Sequence, residues 1–558
     1  MELVGLVCLC LLATHACAMP KPPAREPLRS QLDGNKPVVF LDKATVSGTH
    51  DGPLSKFLGI SFSKPLERFR PSELNDPYHG LIDARSYGPL CPQQKLEPPN
   101  SGIQQVNNIM NQAPELHNAQ GIEKEDCLSI NIIRPAGVVS GRKLSVLVWI
   151  HGGAYQIGDT ASYDKMGSRL VRRSVSLGSP VIFVSMNYRL SAYGFLGGAQ
   201  VFQEKSGNLG LRDQRLALRW VNKYIGAFGG DKSKVTLWGQ SSGAISTTLQ
   251  MITNNGNNEG LFRAAILQSG APLPVGNITK GPNQSFYDLI VSETGCSTSA
   301  NTLDCLRNLP FSKLKTVVDR TPNFFSYPSL ALVWHPSVDN VFLTDNPQSL
   351  VPQGKFANVP ILSGICDDEG TLFALSSLNV TTEDDFRGYI SSVWQPRNTP
   401  EELAPLWNFY TSNAADGSPF NTGTQNTLTA QFKRVAAFIG DSIQLGPRRI
   451  FLQKASKTQT VWAYLSKKSK SVPGIGSYHG SDLATDSEPG FLDDHLINFV
   501  VRLDPNVKMG PRWPSYDSNS PKLFTFPEVG PPTITLDNFR SDSVNYLNNI
   551  SAAHPLCC

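Results

Sequence analysis

Short apolar runs alternate along the chain with segments in which apolar residues recur at helical spacing. The run Leu144–Ile150 is almost entirely apolar, which is typical of a strand buried on both faces. Val181–Ser185 and Phe262–Gln268 have the same character, whereas residues 208–224 place apolar side chains on one helical face. Because strands that alternate with helices usually form a largely parallel sheet, the pattern predicts an α/β fold with helices on both faces of a large sheet.

The N-terminal part of the chain does not follow this alternation. Residues 36–69 contain short apolar segments separated by turns, which predicts a small antiparallel sheet. Residues 1–18 combine an apolar core with a small-residue cleavage site, the pattern of a secretory signal peptide, although a positive charge before the core is missing. We therefore predict a signal peptide over residues 1–18 and a single domain over residues 19–558 of a secreted, extracellular protein.

The composition excludes several classes of protein. The 558 residues are 40% hydrophobic, enough for a large core, and the net charge of +4 is too small to indicate a nucleic-acid partner. The apolar run of the signal peptide is too short to cross a membrane and no other run is long enough, and no Cys-x-x-Cys spacing or clustered histidine indicates a metal site. We expect no cofactor, no metal, no nucleic acid and no transmembrane segment, and the oligomeric state stays open.

Cysteines and Asn-x-Ser/Thr triplets fit an oxidising, extracellular location. Removal of the signal peptide would leave seven cysteines, so at least one thiol is free or pairs between chains. Pairing of neighbours along the chain predicts two disulfides, Cys91–Cys127 and Cys296–Cys305. The cysteines left unassigned are Cys366, Cys557 and Cys558. The predicted glycosylation sites are Asn277, Asn283, Asn379 and Asn549.

The strongest local signal for chemistry is the segment Val235–Ile245, in which a run of β-formers leads into Gly-x-Ser-x-Gly and then into a helical segment. A sharp strand-to-helix turn of this kind exposes its central serine, here Ser241, at a helix N-terminus, where free N–H groups favour negative charge. Gly239 and Gly243 fit the turn because a Cβ at either position would crowd it. The bare motif also occurs in ordinary loops, but the strand before it and the helix after it favour a nucleophile.

A second glycine-containing motif, His151–Tyr155, directly follows the predicted strand Leu144–Ile150. Small residues at this place allow backbone N–H groups to point into a cleft, as in an oxyanion hole. A plain turn explains the motif equally well in isolation. Its position ahead of the serine turn favours the functional interpretation.

A catalytic serine needs a general base, and His479 is the favoured histidine because it lies in the Gly-rich loop 474–482. His335 precedes the best acid candidates, His495 lies in a helix-like run, and His554 lies in the tail. In this fold class the order along the chain is serine, acid, histidine.

The acid is expected where a short apolar strand, residues 360–364, leads into three consecutive carboxylates. These are Asp367, Asp368 and Glu369. Acids at the carboxyl end of a parallel strand face the ligand crevice, so all three qualify and the residues alone do not choose among them.

With these motifs the chain resembles the type-B carboxylesterase/lipase family, which includes the cholinesterases and the Candida and Geotrichum type of fungal lipases; it is most similar to those lipases. The resemblance extends over nearly all of the mature chain and rests on residues 125–132, 187–190, 208–214 and 228–243. It implies an α/β-hydrolase fold and a secreted hydrolase of carboxylic esters. Glycerides, sterol esters, simple esters and aromatic acid esters all stay open as substrates.

The resemblance also assigns roles to residues of the site. The implied triad is Ser241, Glu369 and His479. The implied oxyanion hole consists of the backbone N–H groups of Gly153, Ala154 and Ser242. Ser269 is implied to lie near the triad, and the two disulfides already predicted are implied as well. Gln240 is a departure, because the family usually has glutamate there and a negative charge beside the histidine is lost. Some relatives are catalytically silent binding or adhesion proteins, but these typically lack a triad member, so hydrolysis is favoured.

The loop between Cys91 and Cys127 contains a predicted amphipathic helix over residues 103–113. Its apolar residues are Ile103, Val106, Ile109, Met110 and Ala113. A surface helix resting permanently on the core would show the same pattern. In the similar lipases this disulfide loop is a mobile lid over the serine, so the resemblance favours a lid and an ester substrate at a lipid–water interface.

Overall fold

An eleven-stranded sheet forms the centre of the molecule, and a separate three-stranded sheet lies in the N-terminal part of the chain. The computed structural model describes residues 36–113, 116–483 and 490–555. The strands are β1 Val38–Leu41, β2 Lys43–Ser47, β3 Thr49–Asp51, β4 Leu54–Ser61, β5 His79–Asp83, β6 Ser129–Pro135, β7 Leu144–Ile150, β8 Val181–Met186, β9 Gly230–Gln240, β10 Ala264–Gln268, β11 Ile361–Cys366, β12 Val461–Ser466, β13 Lys522–Phe526 and β14 Thr533–Leu536.

Helices connect most of these strands. The α-helices are α1 Gln104–Gln112, α2 Asp164–Ser176, α3 Ser191–Phe195, α4 Ala199–Gln203, α5 Leu209–Tyr224, α6 Ser242–Ile252, α7 Pro282–Glu293, α8 Thr302–Arg307, α9 Phe311–Val318, α10 Pro347–Leu350, α11 Thr371–Ala374, α12 Glu383–Tyr389, α13 Pro400–Phe409, α14 Phe432–Gly440, α15 Gly446–Ala455, α16 Asp493–Arg502 and α17 Ser541–Ala553. Two π-helical turns, Ile390–Trp394 and Asp441–Leu445, follow α12 and α14.

The large sheet has the order β14-β13-β12-β11-β10-β9-β7-β8-β6-β4-β3. The seven strands from β13 to β8 in this order run parallel, and the remaining pairs at both edges are antiparallel. This is the α/β-hydrolase architecture, and the predicted fold class is confirmed.

Strand β7 shows why the central strands are largely apolar. Val146, Val148 and Ile150 belong to one buried cluster, whereas Leu147 and Trp149 belong to another. Successive side chains of a strand point to opposite faces, so β7 needs apolar residues at nearly every position when helices cover both faces. Helices α5 and α6 pack against one face, and α2 and α16 pack against the other.

The small N-terminal sheet differs from the prediction in two respects. Strands β1 and β2 are antiparallel, but β5 pairs parallel with β2, so the sheet is mixed. The segment around β4, expected in the small sheet, instead pairs with β6 in the large sheet. The reason lies in burial, because almost every side chain of β4 is covered, which suits a strand of the large sheet.

Both predicted disulfides are formed, with Cα–Cα distances of 5.0 Å for Cys91–Cys127 and 5.7 Å for Cys296–Cys305. Cys366 is a buried free thiol, whereas Cys557 and Cys558 lie outside the described residues. In the described parts of the chain, no helix combines the length and the apolar character needed to cross a membrane. The signal peptide over residues 1–18 also lies outside the described residues, so the division into signal peptide and single domain stays a prediction.

Candidate active site

The turn between β9 and α6 holds Ser241 in a strained backbone conformation, with φ of 57° and ψ of −129°. Non-glycine residues rarely adopt positive φ, and such residues cluster at functional sites. The backbone N–H of Ser241 donates to the carbonyl oxygen of Gln268 at 2.8 Å, which ties the turn to the neighbouring strand β10. Ser241 is partly exposed and directly precedes the first turn of α6.

Close backbone packing fixes this turn. A Cβ on Gly239 would lie 2.1 Å from the carbonyl oxygen of Gly243, and a Cβ on Gly243 would lie 2.1 Å from the carbonyl oxygen of Ile150. Both distances are far below van der Waals contact, so only glycine fits at either position. The two glycines therefore let α6 approach β9 and β7 closely enough to present Ser241 at the carboxyl edge of the sheet.

His479 and Glu369 form a buried pair at the same edge. The Nδ1 atom of His479 lies 2.5 Å from Oε2 of Glu369, and the other carboxylate oxygen of Glu369 accepts a hydrogen bond of 2.6 Å from the backbone N–H of Cys366. The ring of Phe373 packs against the imidazole with its centroid 5.1 Å away. Both oxygens of Glu369 are thus engaged, which orients the carboxylate and the imidazole together.

Of the three candidate acids, Glu369 is the one hydrogen-bonded to His479, whereas Asp367 and Asp368 both pair with Lys470 at 2.7 Å. Asp368 also accepts a hydrogen bond of 2.8 Å from the backbone N–H of Ser477, two residues before His479. Burial raises the pKa of Asp368 and repulsion from Asp367 adds to this rise, while Lys470 opposes it. Asp368 therefore anchors the loop that carries the histidine.

Gln240 contacts the opposite side of the imidazole. Its amide nitrogen lies 3.2 Å from Nε2 of His479, and its side chain is completely buried. Among the described residues no hydrogen-bond partner reaches Oε1 of Gln240. A neutral amide, on the residue that precedes Ser241, thus stands beside Nε2 of His479.

The predicted oxyanion loop lies against the start of α6. Gly153 and Ala154 have φ values of 99° and 53°, and the N–H of Tyr155 donates to the hydroxyl of Ser242 at 3.4 Å. Among the described residues, no acceptor bonds to the backbone N–H of Gly153, Ala154 or Ser242. Backbone N–H groups without an acceptor are what an oxyanion hole requires, so the assignment of these three groups to one stays a prediction.

Ser241, Ser242 and Ala154 border a cavity of about 50 Å³. Most of its wall is apolar and comes from Tyr155, Ile245, Leu249, Leu273, Pro274, Val275, Leu330, Leu332, Pro336 and Ile443. The polar residues of the wall are Ser269, His335 and Gln444. Sequence reasoning placed Ser269 here through the family resemblance. It considered His335 only as a general base and set it aside, and it missed Gln444, which is distant from the motifs and belongs to no local pattern.

His495, the competing histidine, lies elsewhere. It is on α16, is buried, and its Nδ1 donates to the carbonyl oxygen of Pro505 at 2.8 Å. The rings of Trp513, Phe524 and Phe526 surround it. Burial lowers the pKa of His495, as expected for a histidine among aromatic side chains.

Three of the four glycosylation triplets present exposed asparagines, at Asn277, Asn379 and Asn549. Asn283 is only 3% exposed, and its amide nitrogen donates to the hydroxyl of Ser337 at 3.2 Å. A glycan has no room at Asn283 in the folded protein, so this part of the prediction is not supported by the fold.

Comparisons with known proteins show which family this chain belongs to. A family model described as the carboxylesterase family matches residues 35–488. Lipase 4 of Diutina rugosa is 40% identical over 499 residues, covering 85% of this chain and 88% of that protein. Secreted lipase 1 of Botryotinia fuckeliana is 36% identical and covers 98% of both chains.

A solved structure is similar over almost the whole chain. The crystal structure of Aspergillus niger EstA superimposes with a TM-score of 0.79 at 25% sequence identity, covering 94% of this chain and 99% of that one. Together with a family model that spans most of the sequence, these similarities show that the chain belongs to the carboxylesterase family.

Proposed function

We propose that this protein is a secreted hydrolase of carboxylic esters that acts through an acyl-enzyme on Ser241. The observation that carries the proposal is the buried Glu369–His479 pair, whose imidazole contacts the residue preceding Ser241. Membership of the carboxylesterase family supports the ester as the substrate class. Similar proteins named as secreted lipases support the secreted location.

In the proposed reaction, His479 takes the proton of the Ser241 hydroxyl while the serine oxygen attacks the ester carbonyl. Glu369 holds Nδ1–H and stabilises the imidazolium that forms. The N–H groups of Gly153, Ala154 and Ser242 would hold the oxyanion, a contribution of about 3–4 kcal/mol per donor in comparable sites. His479 then protonates the leaving alcohol, and water releases the acid by the same steps in reverse.

The replacement Ser241→Ala tests this proposal. We expect it to keep the fold but lower kcat for a short-chain aryl ester by about 10⁴-fold or more. Ser242→Ala is the matched control, because it removes a neighbouring hydroxyl but keeps the backbone N–H. Near-normal turnover by purified Ser241→Ala would overturn the assignment of the nucleophile.

We further propose that α1 is a lid over this site, so that the enzyme acts at a lipid–water interface. Val106 and Met110 of α1 are buried, whereas the Gln and Asn side chains of the helix are mostly exposed. Ile103, just before α1, lies against the loop of His479, since a Cβ on Gly474 would be 2.8 Å from its Cδ1 atom. This contact with the loop that carries His479 supports a covering role for α1.

Besides this apolar contact, the helix makes local polar contacts: Oδ1 of Asn107 accepts hydrogen bonds from the backbone N–H and the hydroxyl of Ser101, and its amide nitrogen donates to Oδ1 of Asn100. The helix carries no side-chain hydrogen bond at its N-cap Ile103, no acidic residue in its first turn and no basic residue in its last turn. A lipid surface could replace the buried contacts of Val106 and Met110 with acyl chains. We expect a modest rise in activity above the solubility limit of a long-chain ester.

Ile109→Asp tests the lid. A charge on the apolar face should impair turnover of an emulsified long-chain ester more than turnover of a soluble short-chain ester. Asn108→Asp places the same charge on the exposed face of the helix and is the matched control. Equal loss on both substrates, without a rise at the interface, would mean that α1 is a fixed part of the scaffold.

A further inference from the structure

The cavity beside Ser241 contains a buried carboxamide, that of Gln444. This side chain is only 2% exposed and borders the same cavity as Ser241. It lies in the π-helical turn Asp441–Leu445, a type of distortion that often occurs at functional sites. No residue in the described parts of the chain donates a hydrogen bond to its Oε1 atom.

Such a group is unfavourable in a wall that is mostly apolar. Leaving a buried amide oxygen without a partner destabilises a protein by about 1–3 kcal/mol. The neighbouring wall residues Ile443, Leu330 and Leu332 offer no polar side chain to compensate for it. The carboxamide would gain its missing hydrogen bond if the occupant of the cavity supplied one.

The position of the cavity indicates which part of an ester would occupy it. His479 must face the alcohol side, because it protonates the leaving alcohol. The cavity wall includes Ile245 and Leu249 on α6 but not His479. The acyl group, which stays attached to Ser241 after the alcohol leaves, is therefore the part that fills this cavity.

We propose that this acyl pocket selects acyl groups that carry a hydroxyl, which pairs with the carboxamide of Gln444. The proposal rests on the ester hydrolysis proposed above. A hydroxyl both donates and accepts, so it satisfies the carboxamide whichever way its oxygen and nitrogen are turned.

A hydrogen bond of this kind discriminates more strongly than apolar contact does. A pocket that differs only in apolar contact separates substrates by about 10–200-fold per methylene, whereas a site with a buried polar group rejects an analogue that lacks the partner much more strongly. The rejection arises because the polar group is left desolvated and unpaired in the wrong complex. Gln444 is thus a specificity-determining residue in this proposal and takes no part in the chemical steps.

Two pairs of esters in which a methyl group replaces the hydroxyl provide the test. One pair is ethyl 3-hydroxybutanoate and ethyl 3-methylbutanoate, and the other is ethyl 3-(4-hydroxyphenyl)propanoate and ethyl 3-(4-methylphenyl)propanoate. In the first pair the hydroxyl lies close to the ester carbonyl, and in the second pair it lies far from it. We expect the wild-type protein to prefer the hydroxylated ester in at least one pair by about tenfold or more in kcat/KM, which corresponds to about 1.4 kcal/mol.

Gln444→Met, of similar size but apolar, should reduce this preference to about onefold by slowing the hydroxylated ester far more than the methyl analogue. A merely structural role would slow both members of a pair equally. Gln395→Met is the matched control, because Gln395 is likewise buried, has an unpartnered amide within the described residues, and does not border this cavity.

The outcomes separate this proposal from the proposed function. If neither wild-type protein nor variants hydrolyse any of the four esters or a short-chain aryl ester, ester hydrolysis itself fails. If the esters are hydrolysed but wild-type protein and Gln444→Met show the same ratio in both pairs, hydrolysis stands and the hydroxyl-selective pocket is wrong. A loss of preference in Gln395→Met as large as in Gln444→Met would also overturn it.

Discussion

Two buried histidines, His479 and His495, make the same kind of hydrogen bond to different partners. Nδ1 of His479 bonds to the carboxylate of Glu369, whereas Nδ1 of His495 bonds to the backbone carbonyl of Pro505. Both rings are almost completely covered, and both contact aromatic side chains. The partner, and not the burial, is what differs between the two sites.

The difference shows what a general base needs. A carboxylate stabilises the imidazolium, so a histidine beside it can accept a proton without leaving its site. A neutral carbonyl stabilises the imidazolium far less. The apolar surroundings of His495 disfavour the charged ring, and burial therefore lowers the pKa of His495. Only the first arrangement suits proton transfer. The second packs a neutral ring.

The largest expected effect on activity comes from comparing the loss of the His479 ring with the loss of the His495 ring. His479→Ala should lower kcat by about 10⁴-fold with little change in the folded structure. His495→Ala should leave kcat per folded molecule within about twofold but lower the melting temperature, since it opens a buried site. Activity and thermal unfolding of the two purified variants provide the measurement, and the reverse pattern would show that the wrong histidine was chosen.

The next effect concerns the partner carboxylate. Glu369→Gln should lower kcat by about 10³–10⁴-fold, because an amide cannot stabilise the imidazolium. Asp368→Asn should have a smaller effect on kcat and a clear effect on stability, since Asp368 anchors the histidine loop through Ser477 and Lys470. Asp367→Asn is the control with the same charge change at the neighbouring position. An Asp368→Asn variant with a kcat as low as that of Glu369→Gln and with normal thermal stability would contradict this division of roles.

The smallest effect is a pH dependence of stability arising from His495. Because its folded pKa is lowered, the unfolded chain binds the proton more readily, so the free energy of unfolding falls as the pH drops below about 6.5. Above that window the ring is neutral in both states and its contribution is constant. The variant His495→Gln lacks this linkage, so its melting temperature relative to wild type should rise by about 1–3 °C from pH 8 to pH 5. If the difference in melting temperature between His495→Gln and wild type does not change with pH, protonation of His495 does not affect stability.

Sequence reasoning succeeded where a single local feature determines the structure. The strand-to-helix turn around Ser241 follows from Gly239 and Gly243, which no other residue can replace. Strand β7 and helix α5 follow from the strong periodicity of their apolar residues. The helix α1 was predicted as residues 103–113 and extends over Gln104–Gln112. In each case the residues that define the element are neighbours in the chain.

Features that depend on distant contacts could not be predicted in this way. The acid was ambiguous among three carboxylates because the choice depends on a turn in which Glu369 bonds back to Cys366. Strands β12 and β13 were not predicted, and β5 pairs in an unexpected direction. Gln444 was missed because its importance comes only from the cavity that it borders.

The topology of the site has a consequence for refolding. Glu369 and His479 are 110 residues apart in the chain and meet only when β11 and β12 pair in parallel. Parallel pairing between distant segments is slow, because the chain between them must be ordered before the contact forms. Hydrolytic activity is therefore a probe for the last stage of refolding, and its recovery after dilution from denaturant should lag behind the return of helical circular dichroism.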